Sequence, residues 1–373
     1  MVGLYEQGSL MKNVGVIGLG QMGRVIAWAM QSLDHSLVLV DYDKKARSLC
    51  KDLLDGYRPD NGHVFADDKE ALLECSLVIS ALPYYSNLQV ARFCIDNGIK
   101  YCDLGGRVDV SREINKHAEA GTVPVMTDLG LAPGWANIVA EHLYHKKSEE
   151  LDGKAPERID MMVGGLPVDP HNFLKYGCTW SYEGLINEYK DDCEILAGKA
   201  KKIVPGMEGL KHVKTKLGTL EAFYTSGGMS HTMGVMERRG VKNCSYRTLR
   251  YVGHRDVVRF LIKECDLNHE ALVKILKTSC PPVDDLVIIR VEADDIVDER
   301  VVWHGKLFSP MQECTAFPIA AAADLILEDI FSYASTIEGN VLKYRHIPYG
   351  PFNKRLQRLF TEATLGCSVD DPL

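Results

Sequence analysis

Apolar residues in the first third of the chain fall into short runs that alternate with amphipathic segments. The apolar runs lie at 13–18, 36–41, 63–68, 77–82, 99–104 and 123–127, and helical periodicity follows at 24–33, 44–54, 69–74, 88–97 and 110–120. Apolar strands that alternate with helices are typical of a parallel sheet covered on both faces. The pattern up to about residue 140 therefore predicts an α/β domain with a parallel sheet.

The pattern changes after residue 150, where strand-like runs follow one another with fewer helices between them. These runs are RIDMMVGG (158–165), LEAFYTSG (220–227), YRTLRYVG (246–253), LVIIRVEA (286–293) and ERVVWHGKLF (299–308). They predict a second α/β domain with a mixed, largely antiparallel sheet. The alanine-rich stretch AFPIAAAADLILEDIF (316–331) predicts a buried helix that packs closely on its neighbours.

We accordingly divide the chain into three parts. Residues 12–140 form a dinucleotide-binding domain, 141–325 a domain for substrate binding and dimerisation, and 326–373 a segment that packs back on the first domain. Residues 1–11 are expected to be a loose leader without the apolar core of a secretion signal.

Composition excludes several classes of function. A net charge of −8 argues against nucleic acid as a partner, and no apolar run approaches the length of a membrane span. The 11 cysteines never occur as CxxC, so neither a zinc site nor a disulfide framework is expected, and a cytoplasmic location is favoured. His142 and His145 could share a helix face, but without a third ligand we expect surface histidines and no metal.

The stretch VGVIGLGQMG (14–23) carries the strongest functional signal. Gly18, Gly20 and Gly23 form GxGxxG between a predicted strand and a predicted helix, which is the pattern of a Rossmann turn that binds a pyrophosphate. Asp41 ends the second predicted strand 18 positions after Gly23, close to the spacing of a ribose-binding carboxylate. A glycine turn without a ligand is the alternative. The carboxylate favours NAD over NADP, and Lys44 and Lys45 leave NADP open.

Strand ends face the cofactor crevice in this architecture, so small residues there are expected beside the dinucleotide. A turn without a ligand role is the alternative for Pro83. The predicted cofactor-binding residues are Gly18, Gly20, Gln21, Met22, Gly23, Asp41, Ala81, Leu82, Pro83, Leu104, Gly105 and Gly106.

Several longer motifs resemble the saccharopine dehydrogenase-like family. They are MTDLGLAPGWANIVA (126–140), GGLP (164–167), TWSYEGLINEY (179–189), LEAFYTSGG (220–228), RTLRYVGH (247–254) and DDLVIIRVEA (284–293). The resemblance implies an NAD(P)-dependent oxidoreductase that acts on a C–N bond of a small amino acid or polyamine, assembled as a homodimer or higher homo-oligomer.

Within that family, DLGLAPG, EGLINEY, EAFYTSGG and TLRYVGH are similar to lysine 6-dehydrogenases. This similarity implies oxidation of the ε-amine of L-lysine to 2-aminoadipate 6-semialdehyde, which cyclises to piperideine-6-carboxylate, with release of ammonia. A reductase that joins an amine and an aldehyde, as in saccharopine or carboxynorspermidine formation, is the alternative. Saccharopine reductases usually have a DPG-type sequence where this chain has DLGLAPG. A non-catalytic NAD(H) sensor is a third possibility.

Arg250 is the candidate anchor for a substrate carboxylate, because a guanidinium fork matches a carboxylate at two points. A structural ion pair is the alternative. Arg247 lies three residues earlier and would point to the opposite face of a strand. His254 is a candidate proton shuttle, and a satisfied loop histidine is nearly as plausible.

Asp128, at the end of the sixth strand, could hold the substrate ammonium or orient water, or could be a helix-capping or hinge carboxylate. Thr225 and Ser226 precede two glycines and could approach a ligand or make a turn. Trp180 could pack against the aliphatic part of a substrate, although an aromatic residue beside a strand more often belongs to the hydrophobic core. Pro133 completes the predicted substrate-binding residues.

Overall fold

A computed structural model describes residues 13–58, 62–178, 180–303 and 305–365. The leader predicted at 1–11 lies outside these ranges. The first sheet has six parallel strands in the order β3-β2-β1-β4-β5-β6. They are β1 (Asn13–Ile17), β2 (Ser36–Val40), β3 (His63–Ala66), β4 (Leu77–Ser80), β5 (Lys100–Asp103) and β6 (Val125–Met126). All six predicted strands are present, so the parallel-sheet prediction is confirmed.

Helices connect these strands and cover the sheet. They are α1 (Gln21–Ser32), α2 (Lys44–Tyr57), α3 (Tyr84–Asp96) and α4 (Val108–Ala118), and α5 (Trp135–Glu150) leads out of the domain. The segment Lys69–Glu74 forms a 3-10 helix. Asp43 caps α2 by accepting a hydrogen bond from the Lys45 amide at 2.8 Å, which explains why that helix begins after it.

The strand register aligns the functional residues at one edge. Ile17 pairs with both Val40 and Ser80, and Ser80 pairs with Asp103. The residues that follow these strands therefore meet at the carboxyl edge of the parallel sheet, where open α/β sheets bind their ligands.

The second sheet has eight strands, in the order β10-β11-β12-β7-β13-β14 with β8 and β9 branching from β12. Only β12 and β7 pair in parallel, so the mixed, largely antiparallel prediction is confirmed. The strands are β7 (Arg158–Pro167), β8 (Cys193–Ala197), β9 (Ala200–Val204), β10 (Lys211–Thr215), β11 (Gly218–Tyr224), β12 (Asn243–Tyr251), β13 (Asp285–Ala293) and β14 (Ile296–Val302).

The helices of the second half are α6 (Tyr182–Lys190), α7 (Thr232–Arg238), α8 (His254–Arg259), α9 (His269–Ser279), α10 (Pro310–Leu327) and α11 (Tyr349–Leu365). Two predictions here differ from the structure. The strand predicted at 299–308 ends at Val302, and the alanine-rich helix begins at Pro310, where Ser309 and Gln312 form a capping box.

The C-terminal part of the chain returns to the first domain. The Trp28 ring of α1 lies 5.2 Å from the Phe308 ring and 5.7 Å from the Phe317 ring of α10, measured between centroids. Val341 forms an isolated parallel β-bridge with Val125 of β6. On α11, Arg358 pairs with Asp34 at 2.9 Å. Val341 and Arg358 thus contact the first domain, whereas the return of residues 326–373 as a segment and the three domain boundaries stay predictions.

The ten cysteines that the structure describes are all free, and nine of them are buried. In the described ranges no group of three or more His, Cys, Asp or Glu side chains could hold a metal ion. Nor is any helix of these ranges long and apolar enough to cross a membrane.

Candidate functional site: a dinucleotide crevice and a buried arginine

The glycine turn after β1 has the shape that a dinucleotide needs. Gly18 has a φ of +88°, and a Cβ on Gly23 would lie 1.7 Å from the Gly18 carbonyl oxygen, so neither position accepts a side chain without rearrangement. Beside Gly20, no described atom lies within 4 Å of the Cβ position. Helix α1 begins at Gln21, and no described side chain caps its first amides. A phosphate can therefore approach the backbone and the helix N-terminus here.

Asp41 lies beside this turn. Its carboxylate accepts hydrogen bonds from the Leu19 amide at 2.7 Å and the Asp43 amide at 2.8 Å, which fixes its orientation towards the crevice. The Arg47 guanidinium contacts the Asp41 carbonyl oxygen. Sequence reasoning overlooked Arg47 because it lies one helical turn into α2, beyond the residues that directly follow the strand.

The ends of β4 and β5 complete the crevice. Ser80 is buried and donates to the Asn87 side chain at 2.8 Å, and Pro83 directly precedes α3. A Cβ on Gly105 would lie 2.2 Å from Asp128 Oδ1, and one on Gly106 would lie 3.0 Å from Tyr84. The predicted residues Ala81, Leu82 and Leu104 follow the same strands. The cofactor-binding role of every residue in this crevice stays a prediction.

Two carboxylates adjoin one another at the ends of β5 and β6. Asp103 Oδ1 accepts hydrogen bonds from the Gly105 amide at 2.8 Å and the Asp128 amide at 3.1 Å. Burial and the neighbouring Asp128 raise the pKa of Asp103 to about 7. Burial also raises the pKa of Asp128, whereas the hydrogen bonds that its carboxylate accepts lower it. This edge of the crevice therefore favours a proton on one of the two carboxyl groups.

Asp128 joins the two domains. One carboxylate oxygen accepts from Ser111 of α4 and the other from Ser230 of the second domain, both at 2.7 Å. Its carbonyl oxygen accepts from the Tyr344 hydroxyl at 2.8 Å. These bonds hold Asp128 from both domains, and whether it acts as a hinge carboxylate or on the substrate stays a prediction. Each carboxylate oxygen also keeps a second lone pair, so the predicted contact with a substrate ammonium stays open.

Arg250 lies in the second domain within a buried group that we call the Arg250 cluster: Tyr176, Tyr189, Arg250 and His254. Arg250 Nε donates to the Tyr189 hydroxyl at 2.8 Å, and Nη1 donates to the Leu249 carbonyl at 2.9 Å. The guanidinium carbon lies 4.9 Å from the Tyr176 ring centroid. Among the described residues Nη2 forms no hydrogen bond, so one edge of this cation remains for a ligand.

His254 is fixed by two hydrogen bonds. Its Nδ1 lies 2.7 Å from the Leu174 carbonyl and its Nε2 lies 3.0 Å from the Tyr189 hydroxyl. Because the carbonyl only accepts, Nδ1 carries the proton and Tyr189 donates to Nε2. Burial and the nearby Arg250 lower the pKa of His254 to about 3. The imidazole is therefore neutral near pH 7, and these contacts favour positioning of Tyr189 over the predicted proton shuttle.

Glu188 precedes Tyr189 and faces the same cation. Burial raises the pKa of its carboxyl to about 7, while Arg250 acts in the opposite direction. Its carbonyl oxygen accepts from the Ser226 amide at 3.1 Å, which ties α6 to the loop that carries Ser230. Beyond the end of α6, Asp191 contributes to a raised pKa of Arg107, after the larger effect of Asp109.

The other predicted substrate residues have different surroundings. Thr225 is buried and shares a 2.8 Å hydrogen bond with Thr248, which lies two residues before Arg250 on β12. Trp180 is partly exposed and its ring packs on Gly184 of α6. The Pro133 carbonyl accepts from the Gly130 amide at 2.7 Å in the loop before α5. None of these roles is tested by their contacts, and all stay predictions.

Arg247 differs from Arg250 as expected. Its guanidinium pairs with Asp160 at 3.3 Å and donates to the Tyr224 hydroxyl at 2.7 Å, on the other face of β12. Sequence reasoning assigned no role to Tyr176, Glu188 or Tyr189. The one available signal was the EGLINEY motif that contains Glu188 and Tyr189, since only the fold brings them to Arg250.

The fold and the crevice define a two-domain α/β protein of the dinucleotide-binding class. The open backbone at Gly20, the uncapped start of α1 and the Asp41 carboxylate fit a nicotinamide dinucleotide, whose pyrophosphate and ribose need these groups.

Family models identify the chain further. The saccharopine dehydrogenase NADP binding domain matches residues 14–126, and the saccharopine dehydrogenase C-terminal domain matches residues 130–358. The chain therefore belongs to the saccharopine dehydrogenase family of NAD(P)-dependent oxidoreductases. The family resemblance inferred from the motifs is thereby confirmed, although these models divide the chain near residue 128 instead of 140.

Curated relatives include the mitochondrial alpha-aminoadipic semialdehyde synthases of Rattus norvegicus and Mus musculus. The rat protein is 26% identical over 269 residues, which are 65% of this chain and 29% of that protein. The mouse protein is 26% identical over 258 residues, which are 62% of this chain and 28% of that protein. The chain thus spans less than a third of the length of these relatives.

Two solved structures share the whole fold. Apo saccharopine dehydrogenase (L-Glu forming) from Saccharomyces cerevisiae has a TM-score of 0.67 at 16% identity, with 94% of this chain and 96% of that chain covered. Homospermidine synthase from Legionella pneumophila, solved with NAD, has a TM-score of 0.66 at 10% identity, with 94% and 90% covered. At these identities the likeness concerns the fold.

Proposed function

We propose that this protein oxidises the ε-amine of L-lysine with NAD to an imine, giving NADH and a proton, and that water then hydrolyses the imine to 2-aminoadipate 6-semialdehyde and ammonia. The observation that carries the proposal is the buried guanidinium of Arg250, which keeps Nη2 available beside Glu188, whereas the buried Arg247 and Arg255 are paired with Asp160 and Asp256. One such cation suits a substrate with one carboxylate. The names of the curated relatives contain the semialdehyde that this reaction would produce.

The dinucleotide supplies the hydride acceptor, held by Gly18, Gly20, Gly23 and Asp41, and the protein supplies position and proton transfer. Arg250 would bind the α-carboxylate. Tyr189, oriented by His254, would hold the guanidinium in place through its 2.8 Å bond. An ammonium must lose a proton before the adjacent carbon can give up a hydride. Asp128 would accept an N–H of the reacting amine, close to the crevice.

Asp41 supports NAD over NADP as the cofactor, because a carboxylate accepts from a ribose 2′-hydroxyl and repels a 2′-phosphate. The guanidinium of the neighbouring Arg47 would instead attract a 2′-phosphate, so the ratio of activity with NAD to activity with NADP is worth measuring. Homodimer formation and a cytoplasmic location remain part of the proposal.

A reductase that joins an amine and an aldehyde is the second candidate. It is favoured by the names of the two proteins that share the fold, saccharopine dehydrogenase and homospermidine synthase. Such a substrate would need a second anionic or amine subsite in addition to Arg250. A non-catalytic NAD(H) sensor is the third, and it would need no buried arginine such as Arg250.

An NADH-formation screen separates these functions. L-Lysine, saccharopine, cadaverine and spermidine would be tested with NAD and NADP, and aldehyde plus amine pairs would be tested in reverse. We expect turnover of L-lysine that rises with pH, since its ε-ammonium has a pKa of about 10.4. Activity only with saccharopine or a polyamine would favour the second candidate. Dinucleotide binding without turnover of any amine would favour the sensor.

A further inference from the structure

A cavity of about 140 Å³ lies between α5 and the segment that precedes α11, and none of its lining residues belongs to the dinucleotide crevice or the Arg250 cluster. Glu141, His142 and His145 line it from α5, and Ser332, Tyr333 and Arg345 line it from the C-terminal segment. We call it the α5 cavity. No role in the proposed reaction accounts for it.

Stacked rings form two of its walls. The His142 ring lies 3.8 Å from the Tyr349 ring at 4°, and the His145 ring lies 5.0 Å from the Tyr333 ring at 22°. Tyr349 also accepts a hydrogen bond from Arg300. Because rings on both sides are held in place, the cavity is preformed and a ligand would not have to open it.

Hydrogen-bond donors inside the cavity lack partners. His145 Nδ1 lies 3.3 Å from the Tyr333 hydroxyl, but its Nε2 is buried with no hydrogen-bond partner in the described part of the chain. Arg345 forms no ion pair with any described residue. Its contacts are with His346 Nε2 at 3.1 Å and the Thr336 carbonyl at 3.2 Å. A buried ring nitrogen without a partner is destabilising, so His145 Nε2 points to a ligand that forms a hydrogen bond with it, and the half-buried Arg345 guanidinium of the same lining would supply the positive charge.

The charge around the cavity is positive. Glu141 is the carboxylate in its lining; its short ion pair is with Arg239 at 2.6 Å, and it interacts with Arg345 only at longer range. Burial, followed by nearby cations, lowers the pKa of His145 to about 4 and that of His346 to about 4. The pKa of Lys343 is lowered by burial, Arg345 and Arg238, against the weaker effect of Glu338 and Glu119.

We propose that the α5 cavity binds a small oxyanion, either inorganic phosphate or a short carboxylate, through Arg345 and His145 Nε2. A guanidinium and an imidazole N–H are suitable donors for such an oxygen cluster, and Ser332 adds a hydroxyl to the lining. A volume of about 140 Å³ accommodates a phosphate ion or a short carboxylate.

Calorimetric titration of the full chain tests the proposal. Sodium phosphate and sodium acetate would be added separately in chloride buffer of constant ionic strength, with saturating NAD present so that the glycine turn is occupied. We expect saturable binding of at least one anion, and the two titrations tell phosphate from carboxylate. Arg345→Gln should weaken binding about tenfold or more, because a charged hydrogen-bond donor is lost.

His145→Phe provides a second variant, which keeps the ring stacked on Tyr333 and removes only the nitrogen donors. If Arg345→Gln does not fold, the His145→Phe variant alone tests the proposal. Arg92→Gln, an exposed arginine on α3, is the matched control and should bind as the wild type does. The proposal is wrong if neither anion binds saturably to the wild type, or if both cavity variants bind as tightly as the wild type.

Discussion

The dinucleotide crevice and the Arg250 cluster are assembled in different ways. The crevice consists of short segments directly after parallel strands, and its shape depends on backbone: Gly18, Gly20 and Gly23 act by lacking side chains. The Arg250 cluster consists of side chains from a loop, α6, β12 and α8, held by bonds such as Arg250–Tyr189 and Tyr189–His254. Substitutions in the two regions should therefore impair binding for different reasons. In the crevice an added side chain would overlap the backbone, and in the cluster a changed side chain would lose hydrogen bonds.

The largest effect is expected at Gly23. Gly23→Ala places a Cβ 1.7 Å from the Gly18 carbonyl, so the turn must shift, and we expect NAD affinity to fall about a hundredfold or more together with Tm. Gly20→Ala meets no described atom within 4 Å, so it should leave Tm unchanged and weaken NAD about tenfold by obstructing the pyrophosphate. Calorimetry and thermal unfolding measure both.

Gly56→Ala is the matched control for this pair. Gly56 is exposed in α2 with no described atom near its Cβ position, and alanine there should stabilise the helix by about 0.5–1 kcal/mol without changing NAD affinity. If Gly20→Ala bound NAD as the wild type does, the pyrophosphate would not lie at this turn.

Arg250→Lys tests the cluster. The charge remains but the fork and the bond to Tyr189 are lost, and a hydrogen bond to a charged group contributes about 1.5–3 kcal/mol. We expect kcat/KM for L-lysine to fall about tenfold to a hundredfold, with NAD affinity nearly unchanged. Cadaverine, which lacks the carboxylate, should be a poor substrate for wild type and variant alike.

Arg247→Lys, on the opposite face of β12, is the control for this substitution. It should lower Tm through the loss of contacts to Asp160 and Tyr224, without discriminating lysine from cadaverine. Equal losses on both substrates in Arg250→Lys would instead make Arg250 a structural ion-pair residue.

A smaller effect is expected for cofactor choice. Asp41→Asn removes the carboxylate that would repel a 2′-phosphate, and the ratio of kcat/KM for NAD to that for NADP should fall about tenfold. Asp43→Asn, which alters the neighbouring cap of α2, should leave the ratio unchanged. A wild type that already prefers NADP would overturn the interpretation of Asp41 and direct attention to Arg47.

Acid stability is expected to depend on His254 of the Arg250 cluster. The pKa of His254 is lowered to about 3 in the folded protein, whereas an unfolded histidine has a pKa of about 6.5. Between these values the unfolded state binds the additional proton, so stability falls as pH decreases, by up to about 1.4 kcal/mol per pH unit. His254→Gln should flatten the dependence of Tm on pH between 6.5 and 4.5.

His171→Gln, at a histidine whose side chain is exposed, should leave that slope as in the wild type. An unchanged slope in His254→Gln would mean that His254 already carries a proton in the folded protein. In that case the proton-shuttle hypothesis would regain support.

The first domain was predictable because its signals are local. Each strand is a run of consecutive apolar residues, and parallel register then places the residues after Ile17, Val40, Ser80 and Asp103 at one edge. The hairpin of β8 and β9 was missed because β9 carries exposed lysines and its turn, Gly198–Lys199, adopts positive φ at both residues. An exposed edge strand shows little of the apolar pattern that marks a buried one.

The Arg250 cluster was only half predictable. Arg250 and His254 share one motif and could be singled out, but Tyr189 lies 61 positions before Arg250 and reaches it only through the fold. The pKa of His254 likewise depends on burial, which no sequence motif states. The interdomain bonds of Asp128 are also long-range, since Ser230 lies 102 positions later.

The packing of α10 and α11 on α1 has a consequence for biosynthesis. Trp28 is fully buried, and the Phe308 and Phe317 rings that cover it are translated long after the first sheet is complete. The nascent N-terminal domain thus leaves the ribosome with the apolar side of α1 uncovered, and a chaperone that binds exposed aromatic surface would have its longest access there. Fragments that stop before α10 should accordingly aggregate during expression, even though they contain every strand of the first sheet.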